Sequence, residues 1–446
     1  MRFGAVSAVC LAMLAVSADA EEKSVEERVT ALEERLGAPA PAAGAAGRDV
    51  IETFFKDGLQ LRAASGDLEA HIGGTFVFYG RFFIRNNERV QSDTFQIRQA
   101  RIVIEGKLFN DWEFRVQPTA SNGGNFALDD GYLGLVRWGW LKVRVGQFKA
   151  PFGMEQLTLD PYTDFPERSL ADRLVPSREI GIMVHGEPVA KVLSYAVMLS
   201  NGTGRSSTDE NSDKDLTARA WVRPGATSES DWIKGLHFGL AGTYGRQDKS
   251  AGVLPYSYSE LMTGTTFAVA GPNAAAAKFD RSRIRFAAEF AWLWGPVGLK
   301  AEYIRTRDKY TVTGPDRHQT HTNHSAGYVN ATVLVTGDAK TWERVRPGKP
   351  LFGEKGGIGA LEIAARWSRF RIQDDLFDDG ILDPARSAQE ADEYALGVNW
   401  YPNSCVRVTA AYALVVYNGD PIRPVVIDGR RIDDEDVILV RIQVDF

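Results

Sequence analysis

The chain has 446 residues, of which 44% are hydrophobic and 25% charged, and its formal net charge is −6. Its two cysteines, Cys10 and Cys405, are too few for a disulfide framework, and the acidic balance gives no general case for nucleic-acid binding. Beyond the first twenty residues the sequence has no apolar run of the roughly 20 residues that a transmembrane helix needs, which leaves a large soluble protein or a membrane β-barrel.

The N-terminus has the pattern of a secretory signal peptide. Arg2 precedes an apolar stretch that ends in Ala18-Asp19-Ala20, a small-residue cleavage site. We therefore expect residues 1–20 to be removed on export; a buried N-terminal helix is the alternative.

A short amphipathic segment and a linker follow. Apolar residues in 21–36 are spaced by 4, 3 and 4 positions, at Val25, Val29, Leu32 and Leu36. This spacing predicts a short coiled-coil helix that self-associates, or a helix that lies on its own protein. Residues 37–50 are mostly Ala, Pro and Gly, which is typical of a flexible linker.

From residue 51 onward the dominant period is two, which indicates β-strands with one apolar and one polar face. Residues 281–290, RSRIRFAAEF, show it most clearly. We predict an all-β, transmembrane antiparallel β-barrel over 51–446, with about sixteen strands. The predicted strands lie near 69–85, 95–108, 112–119, 129–137, 140–148, 178–187, 191–200, 215–223, 235–245, 280–293, 296–306, 324–336, 358–372, 392–401, 405–416 and 437–446.

The connections between the strands alternate in length, as they do in outer-membrane barrels. Short turns alternate with long polar links at 149–177, 201–214, 246–279, 307–323, 373–391 and 417–436; the 337–357 link is long where a short turn is due. Six tryptophans adjoin the short turns, which predicts an aromatic girdle at the periplasmic rim: Trp112, Trp138, Trp140, Trp292, Trp294 and Trp400. Phe446 ends the last strand on its apolar face.

If the apolar faces meet lipid, the polar faces line a lumen that is more basic than acidic. Arg281, Arg283 and Arg285 would form a column on one strand with a spacing of about 6.6–6.8 Å, along which an oxyanion could exchange contacts. The alternative is a structural lumen in which inward arginines pair with Glu289 or Glu302. The other predicted pathway residues are Lys149, Arg101, Arg144, Arg168, Arg366 and Arg441.

Selectivity in so wide a barrel requires loops that fold inward. The 149–177 link, with Lys149, Arg168 and Arg173, and the 246–279 link are the candidates; surface loops outside the cell are the alternative for each.

Several stretches, in order along residues 70–446, resemble the phosphate-selective porins O and P of Gram-negative outer membranes. They are RQARIVIEG (98–106), YLG (132–134), VGQFKAPF (145–152), ER (167–168), REIG (178–181), NG (201–202), GPVGLKAEY (295–303), EIAARWS (362–368) and NWYPN (399–403). The resemblance implies a sixteen-stranded, usually trimeric porin with a small coiled-coil segment and a constriction formed by loops. It also implies a loop-lysine role for Lys149, a ladder role for Arg281, Arg283 and Arg285, and a lysine cluster at the periplasmic mouth, for which Lys340, Lys349 and Lys355 are the candidates.

Other chemistry has weaker support in the sequence. The run His318, His321 and His324 lies in a predicted loop and is a weak candidate for a metal site; a polar surface loop is the alternative. A barrel hydrolase that uses His185 or His237 with a serine is a remote alternative, as no nucleophile motif is present. A structural or adhesive barrel and a less selective general porin are the nearer alternatives.

The sequence therefore predicts a passive outer-membrane porin for small anions, phosphate or polyphosphate, and not an enzyme. It predicts no cofactor. The expected partners are phosphate or other small anions, membrane lipid and lipopolysaccharide, and two further copies of the chain in a homotrimer, without nucleic acid. The expected location is the outer membrane of a Gram-negative bacterium.

Overall fold

The structure is a computed structural model that describes residues 50–446 except 85–90, 122–124, 208, 210–211, 247–249, 314–316, 353, 355 and 420–424. The predicted signal peptide (1–20), the coiled-coil helix (21–36) and all but the last residue of the linker (37–50) lie outside the described residues.

Strands dominate the described part of the chain. They are β1 (Ile51–Phe55), β2 (Leu59–Ala63), β3 (Leu68–Phe83), β4 (Thr94–Leu108), β5 (Trp112–Ser121), β6 (Asn125–Trp138), β7 (Leu141–Lys149), β8 (Arg178–Val189), β9 (Leu193–Ser200), β10 (Asp215–Val222), β11 (Leu236–Arg246), β12 (Ala277–Lys278), β13 (Ser282–Trp294), β14 (Val297–Val312), β15 (His318–Leu334), β16 (Ala360–Ile372), β17 (Glu390–Tyr401), β18 (Val406–Asn418), β19 (Val425–Ile427), β20 (Arg430–Ile432) and β21 (Asp434–Asp445). The helices are short: α1 (Met154–Leu157), α2 (Asp231–Lys234) and α3 (Asp375–Asp378), with 3₁₀ turns at Asp160–Tyr162, Leu170–Leu174 and Ala274–Ala276. Among the described residues, no helix is long and apolar enough to cross a bilayer.

Sixteen of these strands close into one antiparallel barrel: β3 to β11, β13 to β18 and β21. The ring closes because β21 pairs with β3, from Val437 opposite Phe83 to Asp445 opposite Thr75. Each of the sixteen predicted strand segments overlaps one of these strands, so the predicted fold class is confirmed. The hairpin of β1 and β2 was not predicted; β2 continues the pairing along β3 where β21 ends.

The two faces of the strands differ in exposure as the alternation predicts. On β13, Ile284 and Phe286 are 45% and 47% exposed on the outer face, whereas Arg283 and Arg285 are 5% and 7% exposed on the inner face. Apolar side chains on the outside meet lipid at no desolvation cost, and polar side chains on the inside keep hydrogen-bonding partners.

One rim of the barrel carries the short turns and the tryptophans. All six predicted girdle residues lie next to the turns of this rim, where Trp292 and Trp294 stack with their ring centroids 5.6 Å apart. Because long loops of outer-membrane barrels face the cell exterior, we assign the short-turn rim to the periplasm.

The predicted long link at 307–323 is wrong. β14 extends to Val312 and β15 begins at His318, which leaves only five residues between them. The polar residues in this region continue the strand pairing, from Arg307 opposite Asn323 to Val312 opposite His318. Where these strands extend beyond the hydrocarbon layer, both of their faces can be polar. Their sequence then resembles that of a loop, although the backbone is extended.

Candidate permeation pathway

The link between β7 and β8, residues 150–177, folds into the barrel; we call it the constriction loop. Its apolar side chains are buried in the lumen, as Phe152, Leu170 and Leu174 are fully buried and Phe165 is 1% exposed. Gly146 in β7 has φ +126°, and a Cβ there would lie 2.3 Å from the Gly131 carbonyl oxygen, so only glycine permits this close approach of β6 and β7 just before the loop.

The far wall of the barrel holds the constriction loop by arginines that donate to its backbone. Arg407 of β18 donates to the carbonyls of Pro161, Thr163 and Asp164 at 2.5–3.2 Å. Arg441 of β21 donates to Pro166 at 3.1 Å, and also to Asp160. Because these guanidinium groups satisfy carbonyls that no strand partner could reach, they fix the path of an irregular segment inside the barrel.

A buried carboxylate, that of Asp164, also holds the constriction loop in place. Asp164 lies 3.0 Å from the Nζ of Lys300 on β14 and 2.9 Å from the Nζ of Lys340 in the periplasmic link. Burial raises the pKa of Asp164, but Lys300 and Lys340 lower it by more, so that its pKa lies well below the ordinary range. Asp164 is therefore the charged centre of a cluster that joins the loop to two other parts of the chain.

The link 247–281 between β11 and β13 also folds inward; we call it the aromatic loop. Tyr258, Phe267 and Met262 are at most 2% exposed. The Tyr258 hydroxyl lies 2.9 Å from Nε2 of His324, and Phe267 packs edge-on against Phe370. The two loops meet where Nε of Arg173 donates to the carbonyl of Ser259 at 2.8 Å. Both inward-loop expectations thus agree with the structure.

The periplasmic link between β15 and β16 narrows the barrel from the other side. Val345 is 5% exposed, and Arg344 contacts Asp57 of the β1–β2 hairpin and Asp445 of β21 at 3.1 and 2.5 Å. Lys340 is buried between Asp164 and Glu362, so it does not stand at an open mouth as expected, whereas Lys349 is exposed. Lys355 lies outside the described residues.

Six cations with five carboxylates gather where the constriction loop faces β4 to β8; we call this cluster the basic wall. Arg101 contacts Asp129 and Asp160 at 2.9 and 3.0 Å, and Arg178 contacts Asp130 at 2.7 Å. Its cations are Arg101, Arg115, Lys149, Arg168, Arg178 and Arg205, and its carboxylates are Glu105, Asp129, Asp130, Asp160 and Asp172. The excess of positive charge beside a narrow polar space favours anions over cations.

Below the basic wall, a cavity of about 250 Å³ opens toward the periplasmic rim. Arg101, Arg115, Arg344 and Arg346 line it together with carboxylates that include Asp57. The lining has four arginines and four carboxylates, so the basic wall leads into a polar chamber of balanced charge that is made partly by the periplasmic link.

A family model for the phosphate-selective porins O and P matches residues 73–446. The chain belongs to the phosphate-selective porin O and P family. It is 24% identical to Porin O of Pseudomonas aeruginosa over 397 residues, which cover 81% of this chain and 86% of that protein.

Solved structures support the fold of this porin. The anion-selective porin from Comamonas acidovorans superposes with a TM-score of 0.53 at 11% identity, over 85% of this chain and all of that one. OmpT of Vibrio cholerae also gives a TM-score of 0.53 at 11% identity, over 89% of this chain and all of that one. The family and the barrel fold place this porin in the outer membrane of a Gram-negative bacterium.

The predicted arginine column of the porin lies at the outer end of β13. Arg283 is paired with Asp308 of β14 at 2.5 Å and lies under Tyr256 of the aromatic loop. Arg285 donates to Thr243 at 3.4 Å, and its buried Nε has no hydrogen-bond partner among the described residues. Arg281 precedes the strand and lies 3.7 Å from Asp280. The three guanidinium groups therefore differ in how far their charge is offset.

The other predicted residues separate into two groups. Lys149, Arg101 and Arg168 come together in the basic wall, where Lys149 donates to the carbonyl of Gln156 at 2.5 Å. Arg366 and Arg441 lie buried behind the constriction loop; Arg366 contacts Glu393 at 2.6 Å and donates to the Glu167 carbonyl at 2.8 Å. Arg144 lies lower on β7, 2.7 Å from Glu113 and over the ring of Tyr132.

Sequence reasoning missed Arg178, Arg205 and Arg344. Arg178 begins β8 and Arg205 lies in the following outer link, so neither falls in the middle of an alternating strand. The signal for Arg178 was present, since it stands in the REIG stretch that carried the family resemblance.

His318, His321 and His324 lie in β15 and not in a loop, as the predicted link at 307–323 is wrong. In β15 the side chains alternate, so His321 points to the face opposite that of His318 and His324. His324 is buried against Tyr258, and His318 lies 3.3 Å from Asp379. Over the part of the chain that the structure describes, no group of three or more His, Cys, Asp or Glu side chains could hold a metal ion.

Proposed function

We propose that this protein is a passive porin for small anions, with phosphate-like oxyanions as its preferred class, and that it acts by electrostatic steering without covalent chemistry. The observation that carries the proposal is the basic wall, in which Arg101, Arg178 and their neighbours outnumber the carboxylates beside them. The family and the anion-selective relative of known structure support it.

The proposed route runs from the outer rim to the periplasmic chamber. An anion would first meet Arg281, Arg283 and Arg285, then Lys149, Arg168, Arg178 and Arg101, and finally Arg115 and Arg344. Asp308 offsets the charge of Arg283, and Asp280 lies beside Arg281. Arg285 has no ion pair among the described residues, although Asp215 interacts electrostatically with it. Several contacts of moderate strength allow an ion to leave each one, whereas a single tight site would trap it.

We further propose the partners and the assembly. The outer face of the barrel contacts membrane lipid, including lipopolysaccharide, and three copies form a homotrimer. We assign Arg366 and Arg441 to holding the constriction loop, since both donate to its carbonyls.

The test is the reversal potential of single channels in a planar bilayer under a KCl gradient. Wild type should be anion-selective, and Arg178→Gln and Arg285→Gln should each lower the anion-to-cation permeability ratio by about fourfold. A unit charge 5 Å away in water contributes about 0.8 kcal/mol, which corresponds to that factor. Arg137→Gln is the matched control, because Arg137 is 59% exposed at the periplasmic rim and outside the route; its ratio should not change.

Phosphate added to the chloride solution should reduce the chloride current, and Arg285→Gln should weaken this block. Cation selectivity of wild type, or variants that match the control, would overturn the route. A channel of negligible conductance would favour a structural or adhesive barrel instead.

A further inference from the structure

The outer face of the barrel carries a groove over β14, β15 and β16. Between the larger side chains of β14 and β16, β15 presents only Ser325 and Gly327, which pair with Arg305 and Tyr303 on one side. Neighbouring strands lie about 4.8 Å apart, so β14 and β16 are separated by about 10 Å, enough to seat an acyl chain between their side chains.

The half of the groove nearer the periplasm is apolar. It is a cavity of about 380 Å³ lined by Phe290, Ala301, Tyr303, Val329 and Trp367, with Gly327 as its floor. Ala301 and Gly327 have small side chains, whereas the outer face elsewhere carries Leu, Ile and Phe. They therefore leave space for a linear apolar group.

The half nearer the long loops is cationic. It is a second cavity of about 310 Å³, lined by Arg305, Asn323 and Arg371 among others. Tyr303 and Ser325 line both cavities, so the two halves are continuous. The groove therefore has an apolar end and a basic end, arranged along the membrane normal.

The height of the basic end matches the outer headgroup boundary. Arg305 is eight residues beyond Val297, the periplasmic start of β14. At about 3.4 Å per residue and a tilt of about 40°, it stands about 20 Å above that end, and Lys309 stands about 30 Å above it. The apolar band of such barrels is about 25 Å tall, so these cations bracket its outer edge.

The outward-facing cations of β14 have no ion-pair partner in the part of the chain that the structure describes. Among the described residues, no carboxylate lies within 4.0 Å of Arg305, Arg307 or Lys309, although Arg305 and Arg307 are exposed on the lipid side. Across the groove, Arg369 binds Asp392 at 2.7 Å and Arg371 binds Glu390 at 3.2 Å. Three unpaired cations in one row at a membrane boundary are stabilised by anionic headgroups.

We propose that this groove binds the phosphorylated glycolipid of the outer leaflet, lipid A, an inference that rests on the proposed contact of the outer face with lipopolysaccharide. Its phosphates contact Arg305, Arg307 and Lys309, and one acyl chain lies along Gly327 and Ala301. Charge complementarity favours this occupant, because the three cations stand at the headgroup boundary, where the lipid phosphates lie. The site is on the lipid side of the wall and is separate from the anion route.

Binding can be measured by native mass spectrometry of the purified full-length protein titrated with hexa-acylated lipid A. The Arg305→Gln/Arg307→Gln/Lys309→Gln variant should lose at least tenfold in affinity. The matched control is Arg62→Gln/Arg137→Gln/Lys234→Gln, which removes three exposed cations from the periplasmic rim and should bind as wild type does. Ala301→Phe, which fills the apolar half, should weaken binding while leaving the basic half intact.

Wild type alone provides a second measurement, in which lipid A should bind at least tenfold more tightly than its dephosphorylated form or phosphatidylglycerol. Equal affinity for these lipids, or a triple variant that binds like the control, would overturn the proposal. Loss of the oligomer in the triple variant, with lipid A binding unchanged, would show instead that copies of the chain meet at this face. The reversal potential should be the same in wild type and the triple variant, so failure of the lipid site leaves the proposed channel function intact.

Discussion

At the scale of single residues, the lumen is organised by buried charges that hold loops in place. Asp164 joins Lys300 and Lys340, and its backbone carbonyl also accepts hydrogen bonds from Asn399 and Arg407. Removing one partner of a buried ion pair leaves an uncompensated charge, which costs far more than loss of an exposed pair.

Asp164→Asn should therefore lower the free energy of unfolding by about 3–5 kcal/mol, because Lys300 would remain buried without a carboxylate partner, whereas Lys340 would keep Glu362. The measurement is urea unfolding followed by the mobility shift between folded and unfolded barrel on a gel. Asp111→Asn is the control, since its pair with Arg137 is exposed, and it should cost at most about 1 kcal/mol. Equal losses in the two variants would contradict the role given to Asp164.

The lowered pKa of Asp164 predicts that the free energy of unfolding depends on pH. The pKa of Asp164 is lower in the folded protein than its ordinary value of 3.8, so the unfolded state binds its proton first as the pH falls. The stability that Asp164 contributes should be complete above about pH 4 and decline below it. The difference in unfolding free energy between wild type and Asp164→Asn should be constant above about pH 4 and should shrink as the pH falls below it; a difference that stays constant down to pH 2 would refute this assignment.

The alternation of the sequence was enough to predict that Arg283 faces the lumen, but not that it pairs with Asp308. The inward face of β13 followed from the period of two. Asp308 could not be assigned, because it stands in a segment that was predicted to be a loop and pairs with β13 only through the barrel register. Charge balance at a residue depends on such pairings across strands, which sequence spacing does not contain.

At the scale of elements, the constriction loop determines how much of the lumen stays open. It is anchored to β14 as well as the far wall, since the backbone amide of Met154 donates to Glu302 at 3.0 Å. A loop with this many partners acts as a fixed wall of the passage and not as a mobile gate.

Replacing residues 157–172 with a short Gly-Ser linker should raise single-channel conductance several-fold. The channel should remain anion-selective, because the replaced segment carries one cation, Arg168, and four carboxylates, Asp160, Asp164, Glu167 and Asp172, while Arg101 and Arg178 remain on the strands. Shortening the connection between β10 and β11 within 226–230, on the short-turn rim, is the control. Conductance that stays at the wild-type value would show that the narrowest point lies elsewhere.

The strands were more predictable than the loops for a physical reason. A strand between lipid and water must alternate, so β7 or β13 can be read from the sequence alone. The constriction loop has no period, and its burial depends on guanidinium groups of β16, β18 and β21 that are remote in sequence. The aromatic loop was foreseen only because small and apolar residues are unusual in an exposed link.

At the scale of the whole molecule, assembly depends on the segment before the barrel. Deleting residues 21–36 should weaken the proposed trimer, because two heptads of apolar positions stabilise a helix only when it packs against partners. Light scattering in detergent at decreasing protein concentration measures this, with deletion of linker residues 38–46 as the control. A deletion variant whose trimer is as stable as wild type would rule out self-association of this segment.

The barrel seam has a consequence for how the protein is made. Gly74 of β3 exchanges backbone hydrogen bonds with Phe446, at 2.8 and 3.0 Å. The edge of the first barrel strand is therefore fully paired only when β21 has docked. Contacts so distant in sequence form late and slowly, and an open strand edge invites wrong pairing in the meantime. The hairpin of β1 and β2 is made first and already covers the periplasmic end of that edge, between Glu69 and Ile72. By covering part of this edge, the hairpin reduces pairing of the unclosed sheet with a strand of another chain.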